Sequence, residues 1–212
     1  MRIYREVVGS VFFQRAAKGL AAGTAPLLPA LFLLLAGLIG WLATTSSPAR
    51  AQGAFALAST DLRDGGSFGN AQIYDRSDCK GGNISPQLSW RNAPAQTKSF
   101  AVTIFDLDAP GPGWWHWAVA QIPPNVSTLP SNASASGYIK KIGAIEARND
   151  WGDVGYGGPC PPPGKPHRYI VTVFALDTMD LRLGPARHAL MFDHEINTSV
   201  LAKASLTATY GR

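Results

Sequence analysis

Between Gly155 and Gly164 the chain carries Gly155, Gly157, Gly158 and Gly164 together with Pro159, Pro161, Pro162 and Pro163. No helix or paired strand tolerates that composition. Proline lacks an N–H and fixes φ, and glycine gives up the most backbone entropy on ordering. The segment is therefore a shaped loop. It runs through Lys165, Pro166, His167, Arg168 and Tyr169 into an apolar β-run, Ile170 to Leu176. Prolines set the shape of such a loop, and glycines let backbone N–H groups approach a ligand closely. His167 sits at the seam between loop and strand, where function is carried on a rigid scaffold. Taken alone, the stretch reads equally well as a hairpin loop with a surface histidine.

The 212-residue chain has a formal charge of +5, and most of that excess lies at its start. Residues 1–51 hold Arg2, Arg5, Arg15, Lys18 and Arg50 against Glu6 alone, so 14 bases and 13 acids remain after them. Beyond residue 51 the only adjacent bases are Lys140 and Lys141. A nucleic-acid partner needs a basic patch on the folded domain, and that class is set aside.

Residues 1–51 read as an export signal. A basic start is followed by an apolar run from Leu27 to Leu42, then by small and polar residues. Ala49-Arg50-Ala51 fits the small-x-small cleavage pattern, with Gln52 as the new N-terminus. The alternative is an uncleaved anchor through residues 27–42, but about 16 apolar residues fall short of the roughly 20 a spanning helix needs. The expected location is periplasmic or secreted. Residues 52–212 form one domain with a real core. In an oxidising compartment the only two cysteines, Cys79 and Cys160, are expected to pair, the alternative being two separate buried thiols.

Ser99 to Leu107 is a strand apolar on both faces, as is Arg168 to Leu176, so both are expected to be central. Trp114 to Ile122 is a third strand. Phe55–Thr60 and Ile84–Trp90 read as entry or edge strands, Ile73-Tyr74 as part of a short one, and Tyr138–Ala147 as one or two more. Ala189 to Thr207 contains a helix-compatible segment, with Ile196, Val200 and Leu201 on one stripe. Short strands with close turn signals predict a mainly β, antiparallel sandwich with one or two short helices.

Asp106 and Asp108 have the i, i+2 spacing of one strand face, and His116 enters the next strand. With His167, these four polar residues stand at strand–loop junctions that converge if the junctions share one end of the sheet. The familiar nucleophile-elbow, phosphate-loop and zincin motifs are absent, and no His/Asp spacing here is a metal signature. No cofactor is implied. Three classes stay open: a ligand-binding module walled by Trp114, Trp115 and Trp117, an enzyme, and a structural sandwich whose polar groups satisfy one another.

Four motifs in order carry a resemblance. Asn83 to Trp90 (Asn-Ile-Ser-Pro-Gln-Leu-Ser-Trp), Asp106-Leu107-Asp108-Ala109-Pro110, Gly113-Trp114-Trp115-His116-Trp117, and Gly157-Gly158-Pro159-Cys160-Pro161-Pro162 through His167-Arg168-Tyr169 resemble the phosphatidylethanolamine-binding protein family. They are most similar to its bacterial YbhB/YbcL branch, called Raf kinase inhibitor-like. The resemblance runs from about Ser59 to the end of the chain. It implies a large antiparallel sheet packed on a smaller one, short helices near the C-terminus, and a small anion pocket for phosphate or a phosphorylated headgroup such as phosphoethanolamine. By motif it assigns Asp106, His116 and His167 to the pocket and Trp114 to its wall. It gives Gly158 and Pro159 to the lining loop, and Tyr169 to the position two residues after the second histidine. Asp108 takes a motif position of open role.

The mechanism expected from this resemblance has both imidazoles donating to phosphate oxygens, with help from backbone N–H groups around Gly157 and Gly158. Asp106 either orients one imidazole or receives the headgroup amine. The kinase-inhibitor role does not transfer to an exported protein. A phosphoester hydrolase using the same Asp/His pocket, or an inhibitor of a protease or other protein partner, is the alternative. Membrane contact is expected only through the leader or lipid headgroups. The oligomeric state stays open, a homodimer included.

Overall fold

The structure, a computed structural model, describes residues 53–212; the leader and its cleavage site lie outside the described residues. The strands are β1 (Ala56–Ala58), β2 (Leu88–Arg91), β3 (Ser99–Asp106), β4 (Trp114–Ile122), β5 (Thr128–Leu129), β6 (Ile145–Glu146), β7 (His167–Leu176) and β8 (Val200–Tyr210). Two helices, α1 (Tyr138–Lys141) and α2 (Ala189–Asn197), complete the set. One sheet runs β1-β2-β5 and the other β6-β4-β3-β7-β8, and every pairing between named strands is antiparallel. This is the sandwich expected, a larger sheet on a smaller one. Among the described residues no helix is long and apolar enough to cross a membrane.

β3 lies at the centre of the large sheet, as its two apolar faces require. Val102 and Ile104 join Trp117, Val119, Val171 and Val173 in the main core, where Leu88 and Trp90 of the small sheet also pack. On the other face β3 and β4 contribute alanines, beside Phe174 and Leu176 of β7. Ala101, Ala118 and Ala120 meet Ala189, Phe192 and Ile196 of α2. Small side chains on that face let a helix lie close against the sheet, so an asymmetry of side-chain size decides which layer covers which face.

Four local expectations are corrected. Ile73 and Tyr74 are buried but form no strand, because their backbone groups are taken by loops. Asn83 N donates to Ile73 O, Gly81 N to Tyr74 O, and Tyr74 N to Pro159 O. The Tyr138–Ala147 segment begins as helix α1, with Ile139 buried, and only then reaches β6. The stripe of α2 is Ala189, Phe192 and Ile196; Val200 and Leu201 belong to β8 and are exposed. From Ala202 to Ala208 the apolar residues alternate with Lys203, Ser205 and Thr207, a period of two that suits a strand. Asp106 ends β3, so Asp108 lies in the following loop and the two carboxylates diverge.

The register of β3 against β4 holds the feature that matters most for the site. Ile104 pairs with Trp117 and Phe105 with Trp115, leaving His116 as an extra residue on β4. In a regular strand neighbours face opposite ways, and a buried Trp117 would send His116 toward α2. The bulge turns His116 to the same face as Trp117. β-Bulges re-aim side chains in this manner beside functional sites.

Candidate anion-binding site

A cavity of about 330 Å³ opens at the end of the large sheet where β3 finishes, β4 starts and β7 starts. Asp106, Trp114, His116 and His167 all line it. They are the residues that three strand ends bring together: β3 pairs Asp106 with Trp114 on one side and with Tyr169 on the other. The loop from Cys160 to Pro163 forms one wall and Trp151 another. Arg212 stands at the rim, its Nε donating to Pro161 O at 2.6 Å.

Both imidazoles are held through the same nitrogen. His167 Nδ1 lies 2.7 Å from Asp106 Oδ2, and His116 Nδ1 lies 2.6 Å from the carbonyl oxygen of Gly157. A carbonyl only accepts, so His116 Nδ1 carries the proton. The Asp106 carboxylate fixes the same tautomer in His167. Neither Nε2 has a partner among the described residues. Its other oxygen accepts from the N–H groups of Asp108 (2.9 Å) and Ala109 (3.1 Å), so three of the roughly four acceptor positions of the carboxylate already hold its own surroundings. Of the two roles expected for Asp106, the geometry therefore matches the orienting one. The rings of Trp114 and Trp151, which also line the cavity, stand edge to face at 5.0 Å.

His116 is almost fully enclosed, at 1 % exposure. Burial pushes its pKa below the ordinary histidine value, an effect partly opposed by the Gly157 carbonyl and the charge of Asp106. This has a consequence for stability. A histidine depressed in the folded state binds fewer protons than its unfolded counterpart once pH falls below about 6.5. His116 therefore withdraws stability as pH drops from 6.5 toward its folded value, by about 1.4 kcal/mol per unit of depression. Thermal melts from pH 7 to 5 should show the wild type losing more stability than His116→Asn, which keeps a donor for Gly157 O. Parallel losses in the two proteins would contradict the burial account.

The remaining expected site residues stand behind the cavity. Tyr169 is fully buried beneath His116, with ring centroids 5.2 Å apart. Burial, and secondarily the nearby Asp106 charge, raises its phenol far above the ordinary value. Asp108 faces away and grips Arg168 through both carboxylate oxygens and the Arg168 N–H, which ties the post-β3 loop to the start of β7. That guanidinium holds the Asp108 carboxyl well below the usual carboxylate range. Gly157 and Gly158 do not offer N–H groups to a ligand. Gly157 N donates to His116 O at 2.9 Å and Gly158 N to Asn83 Oδ1 at 2.8 Å. Pro159 accepts from Tyr74 N, and the lining begins one residue later, at Cys160. Cys79 and Cys160 are joined in a disulfide, so the loop at Cys79 braces the cavity wall.

Trp151, Arg212 and Ser77 are among the lining residues that sequence reasoning missed. Trp151 stacks on Tyr74 at 4.4 Å and donates to Gly158 O at 3.2 Å. Arg212 is placed by the β7–β8 register, in which His167 pairs with Tyr210. No local motif marks it; the signal would have been recognising β8 as a full strand antiparallel to β7. The Trp114 indole N–H and the Tyr169 hydroxyl are buried without hydrogen-bond partners among the described residues, and both belong to the surroundings of this cavity. Among the described residues no group of three or more His, Cys, Asp or Glu could hold a metal ion.

Comparison with known proteins agrees with this architecture. The family model described as phosphatidylethanolamine-binding protein matches residues 58–211. The UPF0098 protein YbcL of Escherichia coli K12 is 40% identical over 160 residues, covering 74% of this chain and 87% of YbcL. YbhB of the same organism is 40% identical over 155 residues, covering 73% of this chain and 98% of YbhB. The crystal structure of E. coli YbcL, described as a new member of the mammalian PEBP family, superposes with a TM-score of 0.73 at 38% identity. It spans 76% of this chain and 99% of YbcL. The homologue CT736 from Chlamydia trachomatis gives 0.63 at 29% identity, over 75% and 98% of the two chains. With the family model spanning nearly all the described residues, the chain belongs to the phosphatidylethanolamine-binding protein family, in the branch of YbhB and YbcL.

Proposed function

We propose that this binding protein holds the phosphate group of a phosphomonoester, free or as a lipid headgroup, in the cavity at the end of β3. The observation that supports the reading is His167: it is anchored through Nδ1 on Asp106 and leaves Nε2 unpartnered at a cavity that His116 and Arg212 also line. Arg212 supplies a guanidinium at the rim for a second oxygen. The apolar walls of Trp114, Trp151 and Pro161–Pro163 take the ester group. Proline-set walls and interlocked loop hydrogen bonds keep the site preformed, which limits the ordering cost of binding.

A histidine Nε2 donates to phosphate only when protonated, so binding takes up protons. Affinity for inorganic phosphate and phosphoethanolamine should rise as pH falls from 8 to 5.5. Calorimetry in buffers of different ionisation enthalpy measures the uptake directly. His167→Ala and Arg212→Ala should each weaken binding by roughly 10- to 100-fold, the range of a charge-assisted hydrogen bond worth about 1.5–3 kcal/mol. Affinity unchanged in both variants, or flat with pH, would refute the assignment. The disulfide supports an oxidising location, and with it the reading of residues 1–51 as an export signal cut after Ala51. The N-terminal mass of the exported chain tests that part.

A further inference from the structure

With a phosphate seated as proposed above, the two histidines are unequal in a way that simple anion binding does not require. His167 is paired with a carboxylate, so a proton on its Nε2 is electrostatically compensated and available for donation. His116 has no carboxylate partner. It is enclosed, its Nδ1–H is fixed on Gly157 O, and Gly157 N returns a hydrogen bond to His116 O, so ring and backbone are clamped together. Burial favours its neutral form, which leaves a lone pair on Nε2. A neutral Nε2 cannot donate to a phosphate dianion. It is a poor anion ligand and a competent nucleophile, and the β-bulge is what aims it into the cavity.

We propose that His116 is a phosphoryl acceptor, forming N-phosphohistidine at Nε2 from a bound phosphate monoester, with His167 as the acid for the leaving group. Nε2 of His116 attacks phosphorus and a P–N bond forms. The P–O ester bond breaks, its electron pair stays on the leaving oxygen, and that oxygen takes the proton from His167 Nε2. The alcohol or phenol departs. Water then attacks phosphorus and the P–N bond breaks, returning its electron pair to His116 Nε2. One water proton passes to His167 Nε2, and inorganic phosphate leaves. Arg212 at the rim offsets charge on the transferring group in both steps. The net reaction is hydrolysis of a phosphomonoester. Asp106 is a positioning residue throughout, because all its contacts are internal.

The full chain, with its disulfide intact, is treated with p-nitrophenyl phosphate while nitrophenol release, the histidine side-chain NMR signals and the phosphorus spectrum are followed. The expected result is an early burst of nitrophenol and an alkali-stable, acid-labile phosphoryl group on His116, located by mass spectrometry at neutral to basic pH. Nitrophenol leaves readily without a proton, but the second step still needs a base. His167→Gln should therefore accumulate at least tenfold more phosphorylated His116 than the wild type. His116→Asn, which retains a donor for Gly157 O, should carry no label. Saturable histidine shifts without label on His116 in either the wild type or His167→Gln would overturn phosphoryl transfer and leave the binding reading standing. Label that persists in His116→Asn would overturn it as well. Absence of any shift at saturating ester would remove both.

Discussion

Gly158→Val should collapse the cavity wall and lower the melting temperature by roughly 6–12 °C, a cost of about 3 kcal/mol or more. The reason is space rather than backbone strain. A Cβ at this position would lie 2.1 Å from Gln72 O, 2.6 Å from Tyr74 N and 2.7 Å from the Ile73 carbonyl carbon. All three are backbone atoms of a buried loop, so no side-chain rotation relieves the clash. Moving the 157–160 loop outward would break Gly158 N to Asn83 Oδ1, Trp151 Nε1 to Gly158 O, and Tyr74 N to Pro159 O together. Because Gly157 O anchors His116, phosphate binding should fall with stability. Thermal melts and a phosphate titration of the variant check both parts. A melting point within about 2 °C of wild type would show that the loop has freedom this packing denies.

Removing the disulfide should have an effect of similar size. Cys79 and Cys160 are 81 residues apart, and closing a loop of that length in the unfolded chain is worth up to about 4.5 kcal/mol by chain entropy. The double variant Cys79→Ser, Cys160→Ser should melt roughly 10 °C lower or more. Cys160 also lines the cavity, so reduction frees one wall of the site as well as a crosslink. Phosphate affinity should therefore drop on mild reduction even where the chain stays folded. Unchanged affinity in the reduced protein would show that the Pro161–Pro163 wall is held by its other contacts, such as the Arg212 Nε bond to Pro161 O.

The parts of the fold that were legible in the sequence are those where one residue type forces one outcome. The doubly apolar runs at β3 and β7 had to be central, and the tryptophan-rich run had to be a strand. Asp106, His116 and His167 could be read as a group because each sits where a strand meets a loop. What stayed hidden was set by distant partners. Ile73 and Tyr74 look like strand residues, yet their C=O groups are taken by the nearby Gly81–Asn83 turn and the Tyr74 N–H by Pro159, far along the chain. β8 was masked by an apolar pair, Val200 and Leu201, that falls in step with the helix before it but lies exposed after a turn. Asp106 and Asp108 share a spacing but not a face, because Arg168 draws Asp108 outward. The loop glycines were read as donors for a ligand, whereas their N–H groups hold the loop itself in place. The turning of His116 to the face of Trp117 is a register effect, and register is invisible until both strands are paired.

Arg212 has one more consequence, for how the protein matures. The cavity draws on residues from Ser77 to Arg212, and the last strand also reaches back to the first loops. Ser67 and Thr209 share a side-chain hydrogen bond across 142 positions. Contacts of such span are slow to form, since the chain must close a long loop before they return any energy. A chain that has not yet paired β8 with β7 therefore has the histidines but not the assembled cavity. On the proposed reading, affinity for phosphate should appear only when β8 has docked, and phosphate should then stabilise the finished chain by mass action. Phosphate occupancy would then serve as a readout of completed folding.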